Sequence, residues 1–247
     1  MKLLMINPNT TQAMTDLMLS VAQEAAFAGT EIKAVTGRFG GRYVASRATY
    51  AIAAHAAIEA YAEHGADADA VALACFGDPG LWALKEIALQ PVIGMAEASC
   101  LHAASLGGRF GIVTGGERWG PMLREFIASI GLQDRLAVVE TVAPTGAEIA
   151  QNREHAMETI IRACRSAVTD HGADSVILGG AGLAGLAGRI RDRVAVPLID
   201  SVEAVVGAAE RLGSRPLRKA RAGSFAPTPP IETVGLAPSL AKLMAAH

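Results

Sequence analysis

The sequence predicts an α/β fold of two similar lobes, each a parallel sheet flanked by helices, related by a pseudo-twofold axis. Three observations predict it. Short β-rich runs alternate with helix-length segments along the chain, and repeated βα units imply parallel strands joined by right-handed crossovers. The run Ala70–Ala74 is apolar without a break, as expected of a strand covered by helices on both faces. Finally, the chain repeats itself. His64-Gly65-Ala66-Asp67, Pro91-Val92-Ile93-Gly94 and Glu97-Ala98 return as His171-Gly172-Ala173-Asp174, Pro197-Leu198-Ile199-Asp200 and Glu203-Ala204. Apart from the insertion Ala68-Asp69 the blocks keep nearly the same spacing, and in this register Cys75 pairs with Gly180.

The elements follow in order. Lys2–Ile6 reads as the first strand, Asn7-Pro8-Asn9-Thr10 as a strand-to-helix loop, and Thr11–Ala28 carries helical spacing. Glu31–Val35 is a second strand, Tyr50–His64 an Ala-rich helix, and Ala70–Ala74 the apolar strand. Another strand begins near Pro91, and a helix covers Glu97–Leu106. The pattern then restarts with the strand Arg109–Val113, the loop Thr114-Gly115-Gly116 and a helix from Pro121. Leu136–Val139, Ser175–Leu178 and Val196–Ile199 are further strands with helices between them. The first lobe is expected to hold residues 1–98 with about 207–247 returning to it, and the second to hold residues 99–206.

Composition narrows the partners. A chain of 247 residues can bury a sizeable core. Its 51% hydrophobic and 19% charged residues, with a net charge of −2, fit a compact soluble protein and favour neither nucleic acid nor an anionic membrane. The apolar runs fall well short of the ~20 residues of a membrane span. No signal peptide is visible after Lys2, and three cysteines match no zinc or redox spacing, so free thiols in a reducing cytoplasm are expected.

In open α/β sheets, ligands lie beyond the carboxyl ends of the strands. Those ends carry Asn7–Thr10, Cys75–Asp78, Thr114–Gly116 and Gly179–Gly182, which would converge on one cleft. Asp78-Pro79 reads as a helix N-cap with proline at the first helical position. Cys75 would then precede a helix N-terminus, which favours its thiolate; the alternative is a small buried residue at a strand end. The run Gly179-Gly180-Ala181-Gly182 lets main chain approach a ligand and offers amides to an oxyanion, or is simply a tight turn. Asn9 and Thr10, at a strand end next to a helix start, suit hydrogen bonds to a ligand's carbonyl or N–H groups, with helix capping as the alternative. Thr114 holds the equivalent place in the second half. Ser46 and Arg47 are candidates for the substrate's polar end or for a surface salt link, and Phe76 with Gly77 for the pocket wall. Cys100 and Cys164 fall inside helices and read as packing residues; His64 and His171 precede strands, at the wrong end of the sheets.

Taken together, Asn7-Pro8-Asn9-Thr10, Ala45-Ser46-Arg47 with Tyr50-Ala51-Ile52-Ala53, and Ala74-Cys75-Phe76-Gly77-Asp78-Pro79-Gly80 form a recognisable set. With Ile112-Val113-Thr114, Trp119-Gly120-Pro121, Gly179-Gly180-Ala181-Gly182 and the stretch Gly235–Leu243, the chain resembles the hydantoin racemase branch of the aspartate/glutamate racemase superfamily. The resemblance implies a cofactor-independent homo-oligomer without metal, acting on a small molecule. It also implies two cysteines, one per half, that invert a carbon beside a carbonyl. The first maps to Cys75 and the second to Gly180, where no side chain can exchange a proton. The expectation is therefore an enzyme acting on a hydantoin-type or related cyclic amide through Cys75 alone. One-sided lyase or hydrolase chemistry, such as removal of sulfur from a thiohydantoin, is expected ahead of two-base racemisation. A racemase with a substitute second base, a cofactor-free decarboxylase and a non-catalytic binding protein are the alternatives.

Overall fold

The structure is a computed structural model and describes residues 1–142, 153–215 and 217–246. Two four-stranded, all-parallel sheets organise the chain. The first is built from β1 (Lys2–Asn7), β2 (Glu31–Thr36), β3 (Ala70–Leu73) and β4 (Val92–Gly94) in the order β2-β1-β3-β4. The second uses β5 (Phe110–Gly115), β6 (Leu136–Val142), β7 (Ser175–Gly179) and β8 (Leu198–Asp200) in the order β6-β5-β7-β8. The two orders are the same, strand for strand, as the sequence repeat requires. Every residue of the central strands β3 and β7 is buried, while the edge strand β2 is partly exposed along its length.

Helices α1 (Gln12–Ala25), α2 (Arg47–His64), α3 (Leu81–Ile87) and α4 (Met95–Leu106) belong to the first half of the chain. The second half carries α5 (Trp119–Ser129), α6 (Arg153–Thr169), α7 (Leu186–Ile190), α8 (Ser201–Gly213) and α9 (Pro238–Ala245). Helix α2 starts at Arg47 rather than at the expected Tyr50. The reason is a capping box: the Ser46 hydroxyl accepts the Thr49 N–H, and the Thr49 hydroxyl accepts the Ser46 N–H.

Helices α4 and α8 pack against each other between the two sheets, and each also reaches across: α4 rests on β7 and α8 on α1 and β3. The lobe boundaries expected at 98/99 and 206/207 fall inside these two helices. A continuous apolar core runs through the seam, from Leu3, Met5 and Leu73 through Met95, Val202 and Val205 to Phe110 and Ile177. A second cluster, including Val113, Ile160, Cys164 and Leu178, lies between the second sheet and α6 and α7. Burial of this size holds the lobes together through the hydrophobic effect. Cys100 and Cys164 are both fully buried, in keeping with their expected packing role.

In each sheet the chain winds one way from its first strand to the edge, then the other way through its last two strands. That reversal opens a crevice between β1 and β3 in one sheet and between β5 and β7 in the other. The chain leaves β1 at Asn7, β3 at Leu73, β5 at Gly115 and β7 at Gly179. The site is set there.

Candidate functional site

A cavity of about 810 Å³ lies where the two crevices meet. Asn9, Ala74, Cys75 and Phe76 line it from one lobe, and Thr114, Gly115 and Gly179 to Leu183 from the other. Met14, the loop Tyr43-Val44-Ala45 and the stretch Gly116 to Trp119 complete the wall.

Matching turns carry the two faces. After β3, the Asp78 N–H donates to the Cys75 carbonyl at 2.9 Å; after β7, the Leu183 N–H donates to the Gly180 carbonyl, also at 2.9 Å. The pairing of Cys75 with Gly180 is thus a pairing of equivalent turn positions. The backbones are not identical, however. Gly180 has φ +120° and ψ 148°, a region open essentially to glycine alone.

Cys75 is 9% exposed and lines the cavity. Its acidity is the reverse of the expectation. Burial, and then the neighbouring Asp78 carboxylate, push the thiol up to about 12. The favourable helix end is missing because α3 begins only at Leu81, capped by the left-handed Gly80. Nor does Asp78 cap that helix. It adopts φ +55° and turns its carboxylate to the N-terminus of α4, accepting the Ala96 N–H at 2.9 Å and the Glu97 N–H at 2.8 Å. Asp78 is itself pushed up to about 8, chiefly by burial and partly by the Glu97 charge, against the hydrogen bonds and Lys85. A resting thiol that holds its proton is equipped first to give one up.

Other predicted residues divide sharply. Asn9 is 7% exposed, and its Oδ1 accepts the Thr11 N–H at 2.8 Å and the Asn7 Nδ2 at 3.1 Å. Those bonds fix the amide so that its Nδ2 is the group left for a ligand. Thr114 is buried against the cavity, its Oγ1 3.8 Å from where a Cβ on Gly180 would stand. Ala181 and Gly182 open a short 3-10 turn whose first N–H groups have no acceptor within that turn. Phe76 and Gly180 face the cavity as expected. Thr10, Ser46, Arg47 and Gly77 do not line it. The Thr10 N–H is spent on the Gly41 carbonyl at 3.2 Å, and Ser46 is the helix cap described above. Arg47 pairs at the surface with Glu125 of the other lobe. Gly77 lies beneath the ring of Trp119, where a Cβ would come within 2.6 Å of the indole.

Trp119 was not singled out by the sequence for the site, yet it ties the lobes together. Its Nε1 donates to the Val44 carbonyl at 3.1 Å, and its ring meets Tyr50 edge-on at 6.5 Å. Tyr50 in turn donates its hydroxyl to the Gly77 carbonyl at 2.7 Å. The available signal was the string Trp119-Gly120-Pro121, present among the family-like motifs without an assigned role. Ala45 likewise stood in the motif Ala45-Ser46-Arg47 without a role of its own, whereas Tyr43, Val44 and, at the exposed rim, Glu117 and Arg118 carried no such signal.

Comparison with known proteins decides the family. The model described as Asp/Glu/Hydantoin racemase matches residues 3–209. The chain belongs to that family. It is 36% identical over 228 residues to a hydantoin racemase of Paenarthrobacter aurescens, covering 91% of this chain and 96% of the relative. A hydantoin racemase of Pseudomonas sp. (strain NS671) is 34% identical over 86% of each chain. Among solved structures, allantoin racemase from Klebsiella pneumoniae superposes with a TM-score of 0.92 at 32% identity, over 97% of this chain and 98% of that one. Arylmalonate decarboxylase shares the fold, with a TM-score of 0.61 at 18% identity over 88% and 94%. This member of the Asp/Glu/hydantoin racemase family is therefore a hydantoin- or allantoin-racemase-like enzyme. Among the described residues it has no helix long and apolar enough to cross a membrane and no cluster of three or more His, Cys, Asp or Glu side chains suited to a metal.

Proposed function

We propose that the protein acts without a cofactor on a hydantoin-type or related cyclic amide, with Cys75 as its one reactive side chain and its chemistry confined to one face of the ring. One observation carries the reading. Cys75 meets the cavity from one lobe, and at the equivalent turn position the other lobe presents only the main chain of Gly180.

The chemistry follows from the parts. A hydantoin C5–H is acidified by the adjacent carbonyl, and removing its proton still requires a placed base and donors for the developing enolate oxygen. The Ala181 and Gly182 amides and the Asn9 Nδ2 are suited to hold carbonyl oxygens of the ring. Cys75, protonated at rest, is suited to return a proton to carbon, or to protonate a leaving group such as the sulfur of a thiohydantoin. In the latter case water adds to the C2 thiocarbonyl carbon, the C–S bond breaks with the proton supplied to sulfur, and hydrogen sulfide and the hydantoin result. Phe76 and Trp119 supply apolar wall against which the ring can pack.

A second reading is racemisation with a substitute acid on the far wall. The identity with hydantoin racemases favours it, as does the Thr114 hydroxyl beside Gly180. One experiment separates the two. Enantiomerically pure 5-substituted hydantoins and thiohydantoins are incubated in deuterated water, following C5 exchange, optical rotation and sulfide together. Exchange or sulfide release that outruns loss of rotation supports one-sided chemistry. Rotation lost as fast as deuterium enters would support the racemase reading instead.

A further inference from the structure

We infer that Asp78 is a positioning residue for Cys75: its carboxylate ties the turn that carries the thiol to the N-terminus of α4, the helix at the seam between the sheets. The inference rests on Cys75 being the reactive thiol of the proposed function.

Comparison of the two lobes isolates this role. Both seam helices receive a carboxylate over their first N–H groups. In the second lobe Asp200 supplies it from the N-cap position itself, its Oδ1 accepting the Val202 N–H at 2.9 Å and the Glu203 N–H at 3.4 Å. The equivalent residue in the first lobe is Gly94, with nearly the same backbone: φ −82° and ψ 145°, against −79° and 127° for Asp200. Gly94 has no side chain to place over the helix; the local contribution is that of Glu97, whose Oε2 accepts the Gly94 N–H at 3.3 Å. The carboxylate arrives instead from Asp78, and a Cβ on Gly94 would fall on it. Leu183, the repeat partner of Asp78, is an apolar core residue.

The first lobe therefore brings its cap from the cysteine turn, which a cap alone does not require. The arrangement also forces Asp78 into φ +55°, the one positive φ outside glycine among the described residues. Strain of this kind persists where the surroundings over-determine it, and it clusters at active sites. The groups facing the Asp78 carboxylate are Glu97 and Cys100 from α4, Lys85 from α3, Tyr50 from α2, and Cys75 of its own turn.

The test combines Asp78→Gly with Gly94→Asp. This double variant gives α4 the second lobe's cap and returns a carboxylate to nearly the same place, so charge near Cys75 is conserved, but the turn is no longer tied. The unfolding midpoint and the alkylation of Cys75 by iodoacetamide, followed on its peptide by mass spectrometry, are compared among wild type, Asp78→Gly and the double variant. Alkylation needs no substrate. A wild type inert toward hydantoins would therefore count against the proposed function and leave this test standing. The double variant is expected to regain the midpoint that Asp78→Gly loses, while Cys75 alkylates about tenfold faster than wild type or more; kcat on a hydantoin stays down by a similar factor with KM little changed. Wild-type alkylation alongside a recovered midpoint would reduce Asp78 to a cap and overturn the inference. If the midpoint is not regained, Asp78→Asn decides, because asparagine tolerates the left-handed backbone. An alkylation profile merely moved to lower pH would report lost charge alone and overturn the inference; one also raised in its limiting rate supports it.

Discussion

Phe76 of one lobe occupies the space that Gly179 of the other leaves open: a Cβ built on the glycine would stand 2.5 Å from the ring. Trp119 answers in the opposite direction by lying on Gly77. Each turn next to the cavity is thus covered by an aromatic ring from the opposite lobe. Both rings also line the cavity that holds Cys75 and Gly180.

Gly179→Ala is expected to push Phe76 off its seat. Overpacking of a tight site costs about 1–3 kcal/mol, and the displaced ring lies next to Cys75 in sequence. Thermal unfolding should register the loss of stability, and hydantoin turnover should fall further than the fraction of unfolded protein explains. An alanine variant with full activity would show that the ring contact does not set the cavity.

Cys75→Ser removes the one thiol at the site while keeping its size. Turnover is expected to fall by about 10²–10⁴-fold, the usual worth of a placed acid or base. Calorimetric titration with a 5-substituted hydantoin should still detect binding. Unchanged turnover would remove Cys75 from the mechanism.

Gly180→Cys would restore a thiol to the far wall. Space is available, since Thr114 Oγ1 is the nearest atom at 3.8 Å from the added Cβ, but the backbone at φ +120° opposes it. The strain is expected to cost about 1–3 kcal/mol. Loss of optical rotation should nonetheless quicken relative to C5 deuterium exchange. If rotation is lost no faster in a folded variant, Gly180 is not what limits inversion.

Stability should carry the mark of Asp78 as pH rises. Its folded value of about 8 lies above the unfolded ~3.9, so the folded protein holds this proton more tightly. The resulting contribution is complete below the unfolded value and is lost as pH climbs through about 8. Wild type should therefore show a falling unfolding midpoint from pH 5 to pH 9, and Asp78→Asn a flatter one. Parallel curves would place the titration elsewhere.

The chain by itself determined what depends on local pattern: alternating elements, the uninterrupted apolar strand, and a repeat strong enough to pair Cys75 with Gly180 and the sheets with one another. Periodicity and spacing survive in one dimension, so these were legible. Helix capping by Ser46 was less so, because a serine three residues ahead of a threonine serves a cap or a ligand equally well. Only the folded molecule decided where Asp78 aims its carboxylate, since its partners Ala96 and Glu97 lie on another helix. Only it decided that Cys75 rests as a thiol, because acidity follows from burial and neighbouring charge, and these exist only after distant segments pack. The same holds for Trp119, whose contacts with Gly77, Val44 and Tyr50 all reach into the opposite lobe.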